Sequence, residues 1–252
     1  MFGAVARRYD FLNHLLSAGL DRRWRARAAA ALDETLQGAS PFRRGAAAPL
    51  ATLRSSASLR STRVLDVCCG TGDLALAVLA RMPGAHVVGL DFSRPMLARA
   101  ARKFARVAIR LGDRAALVEA DALALPLPDA SVDAVTCGFG LRNLADAAAG
   151  LAEMLRVLRP GGPAVILEFH PPRGRGPLAG ALWLYFRRIL PRLGAWISGG
   201  GHGGYSYLVA SIEAFGPPEA TARAMAQAGL RAVRTEPLAG GIASVYVGLK
   251  PA

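Results

Sequence analysis

The sequence predicts an α/β fold built on a mostly parallel sheet with a closing hairpin. Three observations predict it. From residue 63, short apolar runs alternate with helical stretches. A glycine-rich turn follows the first of those runs. The last third ends on two strand-like runs, "RAVRTEPL" and "GIASVYVGLK".

The elements follow in order. Residues 4 to 36 read as helical, with Phe11, Leu15, Leu16, Leu20 and Trp24 near one face and Gly19 as a point of division. Residues 1–36 are taken as an N-terminal helical cap. Residues 37–62, "QGASPFRRGAAAPLATLRSSASLRST", have no clear period and read as a flexible linker or insertion. Residues 63–252 form the main domain. In it "RVLDV", "AHVVGLD", "AALVEAD", "SVDAVTCGF" and "PAVILEF" read as strands. "GDLALAVLARM", "SRPMLARAARKFARVA" and "LADAAAGLAEMLRVL" read as the helices between them, the last stopped by Pro160-Gly161-Gly162. "PLAGALWLYFRRILPRLGAWI" and "EATARAMAQAGL" are further helical stretches, and no internal repeat is present.

Composition narrows the class. The chain has 252 residues, 52% of them hydrophobic, enough for a full core. No apolar run reaches the roughly 18 uncharged residues that span a bilayer. The N-terminus carries Arg and Asp where a signal peptide needs an apolar segment, which predicts an intracellular protein. The net charge is +13, yet only Lys103 and Lys250 are lysines. With so much Ala, Gly and Pro, the arginines read first as coding bias and second as attraction to an anionic membrane surface. Cys68, Cys69 and Cys137 are odd in number and lack zinc-ligand spacing, so they read as small buried hydrophobes and no metal is expected.

The turn "CCGTGD" lies between the first strand and its helix, where open α/β sheets bind ligands. Gly70 and Gly72 remove two Cβ atoms, so a cofactor can approach the main chain. Thr71 adds a hydroxyl, Asp73 is placed to cap the helix, and Asp66 is assigned to the same site. Neither a phosphate-loop motif nor a full G-x-G-x-x-G is present. Asp91 ends the second strand about 20 residues on, where an acid accepts both ribose hydroxyls. Ser93 is the better candidate for capping the following helix. Asp121 and Ala122 follow the third strand, where an acid or amide meets an adenine amino group.

The ordered set "VLDVCCGTGD", "VVGLDFS", "EADALALPLPDASVDAV" and "EMLRVLRPGGPAVILEF" resembles class I S-adenosylmethionine-dependent methyltransferases. "GFGLRNLAD", "LRPGG…LEF" and "YSYLVASI" extend the resemblance to the C-methyltransferases of ubiquinone and menaquinone biosynthesis, over nearly the whole chain except residues 37 to 62. The resemblance implies a Rossmann-like, mostly parallel seven-stranded sheet with helices on both faces and an antiparallel C-terminal hairpin. It implies S-adenosyl-L-methionine as cofactor and a polyprenyl quinol as substrate. Demethylmenaquinol is favoured over a benzoquinol on "DVCCGTGD".

It also implies roles. Asp66, Gly70, Thr71, Gly72, Asp91, Asp121, Ala122 and Gly138 bind the cofactor, Gly138 standing where family members often carry a serine. Arg142 and Asn143 face the methyl-transfer cleft; Arg142 steadies a phenolate or organises the water that takes its proton. The bland alternative for Arg142 is an ion pair with Asp146 at helical spacing. His170 is a candidate base, or a plain loop histidine. Tyr205 and Tyr207 line the ring pocket or pack a helix, within substrate-side helices at about 177–215. Transient membrane contact on the inner face and a cytoplasmic location follow from the substrate; a homodimer is left open, and no nucleic-acid partner is expected. Three other readings share parts of the pattern: an O- or N-methyltransferase, which needs no "FGLRN"; a basic nucleic-acid-binding or RNA-modifying protein, suggested by charge alone; and a nicotinamide oxidoreductase, against which the incomplete glycine fingerprint counts.

Overall fold

The computed structural model describes residues 19–38, 61–171, 180, 184–185 and 203–252. The expected helix before Gly19, the stretch 39–60 and most of 172–202 lie outside them. Gly19 is left-handed (φ 77°), and helix α1, Leu20–Leu36, begins immediately after it. Then come β1 Thr62–Val67, α2 Asp73–Arg81, β2 Ala85–Asp91, α3 Arg94–Arg106, α4 Ala108–Leu111, β3 Ala115–Glu119 and β4 Ala134–Gly138. A 3-10 turn at Leu141–Asn143 leads to α5 Ala147–Val157 and β5 Pro163–Phe169. The chain closes with α6 Gly203–Phe215, α7 Pro218–Gln227, β6 Arg231–Leu238 and β7 Ala243–Leu249.

The seven strands form one sheet in the order β3-β2-β1-β4-β5-β7-β6. β1 to β5 pair in parallel, and β7 runs antiparallel to both β5 and β6. This is the seven-stranded, mostly parallel arrangement expected from the sequence. The order reverses between β1 and β4, a switch point where the loops at the strand ends diverge and leave a crevice.

Strand alternation sorts the core into two layers. Val64, Val87, Val165 and Leu167 face α1 and α2, while Leu65, Val67, Ala164 and Ile166 face α5 and α7. Helix α1 buries Trp24, Ala28, Ala29 and Leu32 against α2, β5 and β7. Arg27 pins it further by pairing with Glu236 of β6 at 2.8 Å. By the same two-residue period, Asp66 shares the face of Val64 and looks toward α1. That parity places an N-terminal helix over the end of the central strand.

Candidate functional site

The turn after β1 is a run of unusual backbone. Cys68, Gly70 and Gly72 have φ of 55°, 57° and 80°. Such angles are ordinary for glycine and strained for cysteine. Cys69 N donates to Leu90 O at 2.9 Å and Gly72 N to Cys69 O at 2.9 Å, so the turn is tied to β2 and to itself. A Cβ on Gly72 would sit 2.7 Å from Phe104 Cε1, so the glycine lets α2 and α3 pack closely.

Two carboxylates organise the turn. Asp91, at the end of β2, accepts from Gly70 N (2.8 Å) and Ser93 N (2.9 Å). Burial raises its carboxyl above the usual range, opposed by the Ser93 and Gly70 N–H bonds. Asp66 is 1% exposed. Its Oδ1 accepts from the Thr136 hydroxyl at 2.7 Å, and its Oδ2 is buried with no partner. Burial pushes this carboxyl up to about 7, with the Thr136 hydroxyl, the Ala75 N–H and the Arg25 charge pulling it down.

Two cations stand beside the turn and pair with other acids. Arg25 of α1, nearly buried, pairs with Asp21, lies 4.0 Å from Asp73 and sits over the Phe139 ring at 5.6 Å. Lys103 of α3 donates to Thr71 Oγ1 (2.9 Å) and Asp73 Oδ1 (2.5 Å). Asp73 therefore does not cap α2: Gly72 occupies the cap position, with no side-chain bond. Ser93 sits at the cap of α3 but makes no side-chain cap bond either; its N–H is taken by Asp91 instead.

An open cleft at the ends of β1, β2 and β4 gathers these groups. Asp66, Gly70, Thr71, Asp91, Gly138 and Asn143 line it, together with Arg25, Phe92 and Phe139. Asp121 and Ala122 lie just beyond β3 and are not among the lining residues, nor are Gly72 and Arg142: of the expected pair only Asn143 faces the cleft, and the Arg142 side chain is turned away into a buried pair. Asp121 is exposed and accepts from Leu123 N at 2.9 Å. At Gly138 an added Cβ would meet Leu74 Cδ2 at 3.0 Å, so this position and Leu74 fit as a pair.

The "FGLRN" stretch closes one end. Phe139 is left-handed (φ 59°) and stacks on Phe169, centroids 4.4 Å apart. Its carbonyl accepts from Arg142 Nη1 (2.7 Å) and Asn143 Nδ2 (3.1 Å). The expected alternative for Arg142, an ion pair with Asp146, is not what forms. Asp146 caps α5 through Ala148 N and Ala149 N, and Arg142 pairs with Glu168 of β5 at 2.6 Å. Helix capping explains the exchange: an Asp at a helix start finds free N–H groups nearer than a guanidinium.

His170 is fully buried and apart from the cleft. Its Nε2 meets the Tyr246 hydroxyl at 2.6 Å, and Nδ1 lies 3.4 Å from Gly216 O. Burial lowers its pKa, partly offset by the Glu168 charge. Tyr205 falls on α6, which packs against the Leu141–Asn143 turn; its side chain lies outside the described residues. Cys69 and Cys137 are buried. Burial pushes the Cys69 thiol up, and the Cys68 contact with burial does the same for Cys137.

Sequence reasoning missed Arg25, Lys103, Phe139 and Glu168. Two signals were available. Glu168 is the one acid in the apolar run "PAVILEF", and Lys103 is one of two lysines in an arginine-rich chain.

Comparison with known proteins adds an independent line. The model of the ubiE/COQ5 methyltransferase family matches residues 1–250. The demethylmenaquinone methyltransferase of Thermus thermophilus is 47% identical over 251 residues, covering 100% of both chains. That of Deinococcus radiodurans is 46% identical, covering 99% of this chain and 91% of its own. The ubiquinone/menaquinone biosynthesis C-methyltransferase of Syntrophotalea carbinolica is 38% identical, covering 99% of this chain and 92% of its own. Among solved structures, a possible histamine N-methyltransferase from Thermotoga maritima aligns with TM-score 0.57 at 16% identity, covering 99% of this chain and 100% of that one, a likeness of fold.

Proposed function

The chain belongs to the ubiE/COQ5 methyltransferase family, and from that premise we propose that it C-methylates the ring of demethylmenaquinol using S-adenosyl-L-methionine. One observation carries the reading. A single cleft gathers the glycine turn, Asp91, the unpartnered oxygen of Asp66, Arg25, and Asn143 beside Arg142.

The residues present fit the cofactor. Its methionine end is a zwitterion, and the cleft offers a buried carboxylate with an orphaned oxygen together with a guanidinium. Asp66 would hold the ammonium, Arg25 and the Thr71 hydroxyl the carboxylate, and Asp91 the ribose hydroxyls. When bound, S-adenosyl-L-methionine supplies a methyl group made electrophilic by its sulfonium.

The protein's own task is on the quinol side. A ring carbon beside a phenolic oxygen becomes a much better nucleophile once the phenol proton leaves. The planar guanidinium of Arg142 offers positive charge and fixed N–H donors, so it serves to steady the phenolate. Its side chain is 5% exposed and stands just behind Asn143, so it acts on the phenolate from the wall of the cleft; its Nε–H is buried with no partner. The phenol proton passes to water. The ring carbon then takes the methyl, and the sulfur is left as the neutral thioether. Loss of that carbon's own hydrogen to water restores the aromatic ring and lets the oxygen be reprotonated, so one proton is released overall. Asn143, on the same carbonyl as Arg142, helps fix the ring's edge. Orientation of carbon, methyl and sulfur in line supplies much of the rate.

The polyprenyl tail ties the reaction to a membrane surface, and the arginine-derived charge of +13 favours transient attraction there from the cytoplasm. Among the described residues no helix is long and apolar enough to cross a membrane. Purified protein supplied with S-adenosyl-L-methionine should methylate demethylmenaquinol in detergent, measured by mass analysis of the product. Turnover of a polyprenyl benzoquinol instead would reverse the substrate choice. Turnover of neither would sink the proposal.

A further inference from the structure

We infer that Glu168 is the positioning residue that aims Arg142, an inference that rests on the quinol-methylation reading above.

Four observations carry it. Glu168 is 0% exposed and the Arg142 side chain 5%, so the pair is removed from water. Three N–H groups converge on the two Glu168 oxygens. Oε1 accepts from Arg142 Nη1 at 2.6 Å and from Phe169 N at 2.8 Å, and Oε2 accepts from Arg142 N at 3.2 Å. Thus one carboxylate grips both the head and the backbone of the same arginine. Finally, the guanidinium lies over the Phe169 ring, 5.5 Å from its centroid, and shares Phe139 O as a second acceptor.

A buried ion pair contributes little net stability, because desolvation offsets its attraction. Its effect here is geometric. A flexible arginine in the short turn after β4 would sample many rotamers. Glu168, rigid on a buried strand of the parallel sheet, removes that freedom and leaves the unpartnered Nε–H fixed in place. Because Glu168 is itself sealed behind Arg142, it acts through the arginine rather than on substrate.

The test uses Glu168→Asp and Glu168→Gln in the full chain. Aspartate keeps the charge but withdraws it by one methylene. Glutamine keeps the size but offers an amide where an acceptor is needed. Both should lower kcat for demethylmenaquinol about 10²-fold, the scale of a misplacement of roughly 1 Å. Calorimetric affinity for S-adenosyl-L-methionine should stay within about threefold of the parent. The double variant Arg142→Ala with Glu168→Gln should be no slower than Arg142→Ala alone, since one residue works through the other. Three results overturn the inference: normal kcat in a folded Glu168 variant, equal loss of kcat and cofactor affinity, or additive losses in the double variant. If Glu168→Gln does not fold, Glu168→Asp and the double variant, which removes both charges, decide. The parent reading fails separately: Arg142→Ala with normal turnover removes the arginine, whereas slow Arg142→Ala with normal Glu168→Asp removes only the glutamate.

Discussion

The Gly70 N–H points at the Asp91 carboxylate and donates to its Oδ2 at 2.8 Å. The acid assigned to the ribose therefore also holds the glycine turn in register with β2. Asp91→Ala should lose about 3 kcal/mol or more of cofactor affinity, from two charge-assisted hydrogen bonds of roughly 1.5–3 kcal/mol each. It should also loosen the turn, so its melting temperature falls. Asp91→Asn, which keeps one acceptor, should bind at an intermediate level. Calorimetry with unchanged affinity in Asp91→Ala would remove the residue from the cofactor site.

Asp66 predicts a pH dependence. Its folded pKa, about 7, lies above the ordinary 3.8. The folded state then holds this proton more tightly than the unfolded chain. The stability it contributes is complete below the ordinary carboxylate range and declines as pH rises from 3.8 to about 7, by on the order of 4 kcal/mol. A ligand ammonium beside the orphaned Oδ2 reverses the preference, because a cation favours the ionised acid. The charges facing it are Arg25, which already favours ionisation, and Asp91, which opposes it. Cofactor affinity should thus fall as pH drops below about 7, with proton release on binding near that pH. Calorimetry in two buffers of different ionisation enthalpy measures the release. Asp66→Asn should bind weakly at all pH values and release no proton; a full proton released by that variant would place the titration elsewhere.

Gly72 carries a packing prediction. Its φ is 80°, and an added Cβ would meet Phe104 Cε1 at 2.7 Å and Ala100 Cβ at 3.3 Å. Gly72→Ala combines left-handed strain with overpacking and should cost about 2–4 kcal/mol. Phe104→Leu in the same chain should recover part of the overpacking but none of the strain. Thermal melts on the single and double variants measure the two contributions; full recovery would show that strain is negligible.

How much of this was legible beforehand follows from period and turn chemistry. The β1-to-β5 alternation was readable because the strands are short, apolar and separated by helices of a different period, with β1, β2, β4 and β5 largely buried and only the edge strand β3 exposed. The glycine turn and Asp91 were readable because their spacing is local to one βαβ unit. Arg142's partner was not. Asp146 lies four residues away in sequence, Glu168 lies 26, and only the β4–β5 pairing of Gly138 with Leu167 makes the distant acid the near one. Arg25 was hidden for the same reason, since α1 reaches the cleft by packing across α2 and β5. Nor did the arginine-rich composition announce that both lysines are placed. Lys250 donates to the carbonyls of Arg156 and Leu158 at the end of α5, where a positive charge complements the helix terminus.

Lys103 makes the last prediction. It reaches from α3 to Thr71 Oγ1 at 2.9 Å and Asp73 Oδ1 at 2.5 Å, so it links the cofactor turn to the first turn of α2. The side chain is 22% exposed, as is Asp73, so the pair is screened only in part. A hydroxyl that accepts from a cation still has its own proton to give, and the Thr71 O–H is then directed away from Lys103. Lys103→Met removes that bias and leaves Asp73 to Arg25, which lies 4.0 Å from it. Arg25 would be drawn toward Asp73 and away from the cofactor. Affinity for S-adenosyl-L-methionine should fall about tenfold, a loss of ~1.4 kcal/mol. Turnover at saturating cofactor should change little, because the residue lies on the binding side and not beside Arg142. Thr71→Val should show a similar loss, and the double variant should not be worse than the larger single effect. Lys103→Arg should recover only part, since a planar fork cannot place one donor between two close acceptors as an ammonium does. Titration and steady-state kinetics on the four variants measure each of these. A Lys103→Met protein with parent affinity and a lower melting temperature would make the lysine a strut of the fold alone.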